Sequence, residues 1–108
     1  MKNLLIKSCL LMFALVLVLP AFSVAADSGG DLFATKCSAC HGKDGAGATA
    51  MGKSMKLRDL GSADVQKQSD KELTGIVSAG KGKMPAYKGK LSDEQITDLV
   101  KFIRTLKK

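Results

Sequence analysis

Residues 37–41 read Cys-Ser-Ala-Cys-His and contain the only histidine of the 108-residue chain. Two thiols and an imidazole in this order can do chemistry together, because a Cys-x-x-Cys-His run has the spacing that attaches a c-type haem. The reason is mechanical. On a helical turn residues i and i+3 share a face, so Cys37 and Cys40 both reach the two vinyl groups along one haem edge. His41, one residue on, is then placed to turn its imidazole onto the iron. Three other uses of such a run fit less well. A thioredoxin-like redox pair needs a βαβ setting, and no such pattern exists here. A zinc knuckle needs a fourth ligand, and beyond the leader described below the chain has no further Cys or His. A plain disulfide between residues three apart closes too small a loop to stabilise much and gives the histidine no purpose.

With no second histidine, the other axial position falls to Met51, Met55, Met84, a lysine or water. Met84 stands in Gly80-Lys81-Gly82-Lys83-Met84-Pro85-Ala86-Tyr87. The glycines there would let backbone approach a flat cofactor, and Pro85 restrains the residue before it to an extended conformation. Met84 is therefore the expected distal ligand. Met51 and Met55 follow soon after His41 in a loose Gly-rich stretch and are expected to be core filler.

The first 26 residues read as an address. Lys2 and Lys7 precede an unbroken apolar run from Cys9 to Leu19, and Val24-Ala25-Ala26 makes a small-residue cleavage site. That order is a secretory signal peptide. The run is about half of the ~20 residues that a membrane span needs, so an uncleaved anchor is the lesser reading. Residues 27–108 are then the working domain, exported to the periplasm, with no membrane insertion expected after cleavage. Cys9 leaves with the leader, as do two of the 17 basic residues, so 15 cations face 10 acids for a net of +5. A domain this small has a marginal core and often needs a covalent or cofactor staple. Cys37 and Cys40 cannot provide it as a disulfide, so haem is the expected staple.

The elements that position these residues are expected to be helical throughout, giving an all-α domain of about four helices around one covalently bound haem. One helix is expected from about Asp31 to Cys40, with Gly29 and Gly30 leaving its start open. Residues 42–61 read as loop with a short turn near Ser54 to Leu60. Ser62 is placed to cap a short helix through Val65 and Lys67. Ser69 with Glu72, and Ser92 with Gln95, are capping boxes. The first opens a helix carrying Leu73, Ile76 and Val77 and stopping at Ala79-Gly80. The second opens a C-terminal helix with Ile96, Leu99, Val100, Ile103 and Leu106 along one stripe.

Three pieces together resemble the small class I c-type cytochromes. They are Gly29-x3-Phe33-x3-Cys37-x2-Cys40-His41, the Gly-Lys-Met84-Pro85 loop, and Leu99-x2-Phe102 in the last helix. The resemblance implies thioethers at Cys37 and Cys40, His41 as proximal ligand and Met84 as distal ligand of haem c iron. It also implies a close crossing of first and last helices at Gly29, with Phe33 and Phe102 packed there. One departure stands out. Many members carry a proline after the haem motif whose carbonyl accepts a hydrogen bond from the proximal histidine, and residues 42–84 contain none.

The function expected is that of a soluble monomeric one-electron carrier, not an enzyme. Both axial positions would be filled, and Leu32, Phe33, Leu73, Ile76, Val77, Leu99 and Phe102 would wrap the haem. Lys81, Lys83, Lys88 and Lys90 bracket Met84 with no acid among them, which suits docking to acidic-surfaced redox donors and acceptors. Export, a single tyrosine and the lack of any motif argue against nucleic acid. One alternative from another class is an enzyme or sensor in which Met84 leaves the iron and peroxide or a gas binds; another is a domain that wires a specific membrane oxidoreductase as its bound subunit.

Overall fold

The computed structural model describes residues 28–108. The leader read in residues 1–26 lies outside the described residues. Every named element among these is a helix: α1 Gly29–Lys36, α2 Ser38–His41, α3 Ala50–Ser54, α4 Ala63–Gln66, α5 Asp70–Ala79 and α6 Asp93–Thr105. Among the described residues, extended pairing is limited to two isolated bridges, Lys81 with Met84 and Lys88 with Leu91. The all-α expectation holds, but six helical segments replace about four.

The difference has local causes. The Ser28 hydroxyl accepts from the Asp31 N–H at 3.2 Å, so α1 starts two residues earlier than expected and Gly29 and Gly30 are helical. Cys37, still in the right-handed helical region but with φ stretched to −118°, separates α1 from the turn α2. Within the long loop the turn expected near Ser54 to Leu60 forms earlier, as α3. Thr49 decides this: its hydroxyl accepts from Gly52 N–H at 2.9 Å and donates to the Cys40 carbonyl at 2.6 Å. One side chain thus caps α3 and pins it to the attachment turn.

The remaining helices start where their caps lie. Ser62 caps α4, and the boxes at Ser69/Glu72 and Ser92/Gln95 close reciprocally, with bonds of 2.8–3.1 Å. Helix α5 ends at Gly80, and Leu106 caps the end of α6.

The core forms where α1 crosses α6. A β-carbon on Gly29 would stand 2.2 Å from the Asp98 carbonyl oxygen, so only glycine permits this approach. Phe33 and Phe102 pack there with ring centroids 5.0 Å apart. Phe33, Ile96 and Leu99 are almost wholly buried, and Leu32, Val65, Leu73, Val77, Val100 and Ile103 complete the core. Arg104 fastens α6 to the turn after α4, donating to the carbonyls of Gln66 and Gln68 and to Asp70. The chain end is tied down by an Asp59–Lys108 ion pair and by Lys108 N–H donating to the Gly61 carbonyl.

Candidate functional site

Cys37 and the turn of α2 after it bring Cys37, Cys40 and His41 to a cavity of about 480 Å³. Ser54–Leu57 and the loop Lys81–Met84, with Pro85 and Tyr87, supply its other walls. A second cavity of about 270 Å³ shares Cys37, His41, Lys56, Leu57, Lys81 and Met84 with the first. It runs inward against Phe33, Leu73, Ile76, Val77, Leu99 and Ile103. The four predicted site residues, separated by up to 47 positions in sequence, therefore meet around one apolar space.

The donor set suits an iron porphyrin. Cys37 and Cys40 are free thiols, available for thioether bonds. Burial, and secondarily Cys40, pushes the Cys37 thiol up to about 11. Burial also lowers the His41 pKa, which keeps the imidazole neutral with a lone pair to give. The Phe33 ring lies 6.3 Å from the imidazole, centroid to centroid. Among the described residues His41 Nδ1 is the one buried side-chain polar atom without a hydrogen-bond partner. This matches the missing proline: none of the described residues offers a carbonyl to it in that place.

Met84 is held by backbone. Its N–H donates to the Lys81 carbonyl at 3.0 Å, and Lys81 N–H donates to the Met84 carbonyl at 3.2 Å. Gly80, at φ +74°, allows this closure, since a β-carbon there would meet the Met84 oxygen at 2.6 Å. Gly80 thus serves the loop's own geometry. Tyr87 and Lys88 N–H groups then donate to the Val77 and Ser78 carbonyls, stapling the loop to the last turn of α5.

Two expectations need correction. Met51 is 53% exposed, because α3 turns it outward, and it fills no core. Met55 is half-buried and lines the same cavity as His41 and Met84, because α3 folds back on Cys40. The wall Met55-Lys56-Leu57 is what sequence reasoning missed. Its signal was faint: Leu57 and Leu60 are isolated apolar residues in a polar loop. Lys56 takes φ +54°, a conformation the sequence does not announce.

The rim is cationic. Lys36, Lys56, Lys81 and Lys83 line the larger cavity, and no acidic residue lines either one. Lys90 lies over the Tyr87 ring, 5.9 Å from its centroid.

Helices crossing at Gly29, a Cys-x-x-Cys-His turn and a methionine loop around one apolar cavity define a small class I c-type cytochrome. Residues 24–103 match the family described as cytochrome c oxidase, cbb3-type, subunit III. Cytochrome c6 of Thermosynechococcus vestitus is 32% identical over 105 residues, covering 95% of this chain and 91% of the relative. Cytochrome c6 of Leptolyngbya boryana is 36% identical over 78 residues, 72% of this chain and 88% of the relative. The solved KustC0563 c-type cytochrome superposes with a TM-score of 0.70 at 32% identity, covering 76% of this chain and all of the other. The chain belongs to this family of monohaem c-type cytochromes, with covalently bound haem c as its cofactor and electron carriage as its function.

Proposed function

We propose that the chain is a periplasmic His/Met-ligated electron shuttle, soluble and monomeric once residues 1–26 are removed. Cys37 and Cys40 would hold the porphyrin through thioethers, and His41 and Met84 would ligate its iron. The bound iron supplies reversible one-electron chemistry between ferric and ferrous states. The observation that carries this reading is the convergence of Cys37, Cys40, His41 and Met84 on one apolar cavity.

Each residue has a distinct part. The neutral imidazole of His41 offers nitrogen, and the Met84 thioether prefers ferrous iron and so raises the potential over a pair of nitrogen ligands. Phe33, Leu73, Val77 and Leu99 keep water from the inner wall, which further disfavours the extra charge of the ferric state. With His41 and Met84 both held on the iron, no open position would remain for a substrate, which supports a carrier over an enzyme. Rim residues Lys36, Lys56, Lys81 and Lys83 steer docking towards acidic surfaces of redox partners. A periplasmic address rests on the leader; among the described residues no helix is long and apolar enough to cross a membrane.

The test separates the two methionines of the cavity. Ferric holoprotein should show the weak absorption band at the red end of the spectrum that marks thioether–iron ligation. Met84→Ala should abolish it, lower the potential and let carbon monoxide bind the ferrous form. Met55→Ala should leave all three unchanged. Loss of the band in Met55→Ala alone would reassign the ligand, and its absence from the parent protein would refute a closed carrier site.

A further inference from the structure

The distal loop is fastened on its inner side by backbone bonds to α5, but its outer side faces the attachment turn across the cavity mouth. There the phenol of Tyr87 donates to the Lys36 carbonyl at 3.0 Å. Among the described residues it is the one hydrogen bond between the segment 80–91 and the segment 28–42. Its acceptor is not arbitrary. Lys36 is the last residue of α1, where a helix leaves carbonyls without intrahelical donors, and Cys37 follows at once.

The rest of Tyr87 is equally constrained. Its ring packs against the core, lines the larger cavity and lies under Lys90. Its N–H donates to the Val77 carbonyl, and its own carbonyl accepts from Lys90 and Leu91 N–H. A residue fixed at both backbone groups and at its side-chain tip spans from α5 to the end of α1. Met84 lies three residues before it, on the arc between these anchors.

We propose that Tyr87 is a positioning residue for the distal ligand: its hydroxyl ties the Met84 loop to the helix end that bears Cys37 and so keeps the thioether seated. This rests on Met84 being the ligand. The strap acts through the loop alone, since breaking it lets the loop lift while the α5 staple and the proximal side stay in place.

Tyr87→Phe keeps the ring and removes the strap. On ferric holoprotein the measurement is the rate of imidazole binding, which requires the distal thioether to leave. One net hydrogen bond corresponds to a roughly two- to twelve-fold change in the open population, so Tyr87→Phe should bind imidazole faster by that factor. Its resting spectrum should keep the thioether band, and amide exchange should quicken at Lys81 and Met84 but not at Leu99. Lys90→Ala, which leaves the hydroxyl, should react at the parent rate. Unchanged imidazole kinetics in Tyr87→Phe, or equal acceleration in Lys90→Ala, would overturn the proposal. A parent spectrum without the thioether band would instead refute the ligand assignment on which it rests.

Discussion

Replacing Gly29 and Gly75 by alanine, one at a time, should move stability in opposite directions. Alanine is favoured over glycine in a helix interior by up to ~1 kcal/mol. Gly75 lies inside α5, exposed, with nothing within 4 Å of the position of an added β-carbon. Gly75→Ala should therefore stabilise by about that amount. At Gly29 the added carbon would lie 2.2 Å from Asp98 O, 2.7 Å from Asp98 C and 3.3 Å from Leu99 N. All three are backbone atoms of α6, so no rotamer change relieves the overlap. The helices must part by roughly 1 Å to restore ordinary contact distances. That loosens the Phe33–Phe102 pair and the nearly sealed Phe33 and Leu99. Overpacking of this kind costs about 1–3 kcal/mol, and backbone meeting backbone belongs at the upper end. Gly29 is the first residue of α1, where the interior propensity gain does not apply, and a net loss of at least ~2 kcal/mol is expected. For a domain of this size that lowers Tm by about 8–16 °C, against a rise of about 4–8 °C for Gly75→Ala. Thermal unfolding of the haem-loaded variants, followed by circular dichroism, measures both. A Gly29→Ala protein as stable as its parent would refute the close crossing and with it the geometry assigned to α1.

Arg104→Ala should cost about 2 kcal/mol in denaturant unfolding, because partly buried carbonyls of Gln66 and Gln68 lose their donor. Asp70→Asn should cost under ~1 kcal/mol, since that carboxylate is 76% exposed; equal losses would mean the ion pair is the working contact. Lys108 hydrogen-bonded to Asp59, with the Gly61 N–H second, holds the Asp59 carboxyl below its ordinary range. A lowered folded-state pKa stabilises above the unfolded value and is lost as pH falls through the folded one. The Tm gap between parent and Asp59→Asn should therefore be present at neutral pH and close in acid; a gap independent of pH would exclude the pair as its source. Replacing Lys81 and Lys83 by Gln should slow electron transfer to an acidic-surfaced partner at low salt and flatten its salt dependence, and identical salt profiles would remove the steering role. Cys37→Ser with Cys40→Ser, which cannot form thioethers, should lack a cooperative thermal transition near that of the holoprotein; retention of one would mean the fold does not depend on attachment.

What was legible in the sequence was whatever local chemistry dictates. Ser62, Ser69 with Glu72, and Ser92 with Gln95 announce helix starts through side chains three residues from their partners, and all three stand where expected. The 3.6-residue stripe of α6 likewise named its buried face. Gly29, Phe33 and Phe102 were legible only through the resemblance, since nothing local says that two helices 70 residues apart cross there. Ile76 and Phe102 belong to the predicted wrapping but remain half-buried, Ile76 lining the inner cavity. The loop 42–61 was illegible for a physical reason. Its course depends on Thr49 bonding to the Cys40 carbonyl, on Leu60 N–H bonding to Gly45, and on Lys56 in a left-handed conformation. Each is a tertiary choice that composition does not encode. Met55 was misplaced because its surroundings follow from that loop.

The inner cavity shows why so small a domain depends on a bound group to complete its core. The space of about 270 Å³ bordered by Phe33, Leu73, Val77 and Leu99 would, left unfilled, leave the apolar side chains of α5 and α6 in contact with water. The group that fills it is therefore part of the core before it is a reactive centre. This arrangement also separates two demands on an electron carrier. The apolar wall of α5 and α6 must stay closed so that ligands do not exchange, whereas the mouth lined by Lys36, Lys56, Lys81 and Lys83 must remain approachable by a partner. Tyr87 stands where the two meet, with its ring on the core and its hydroxyl on the rim.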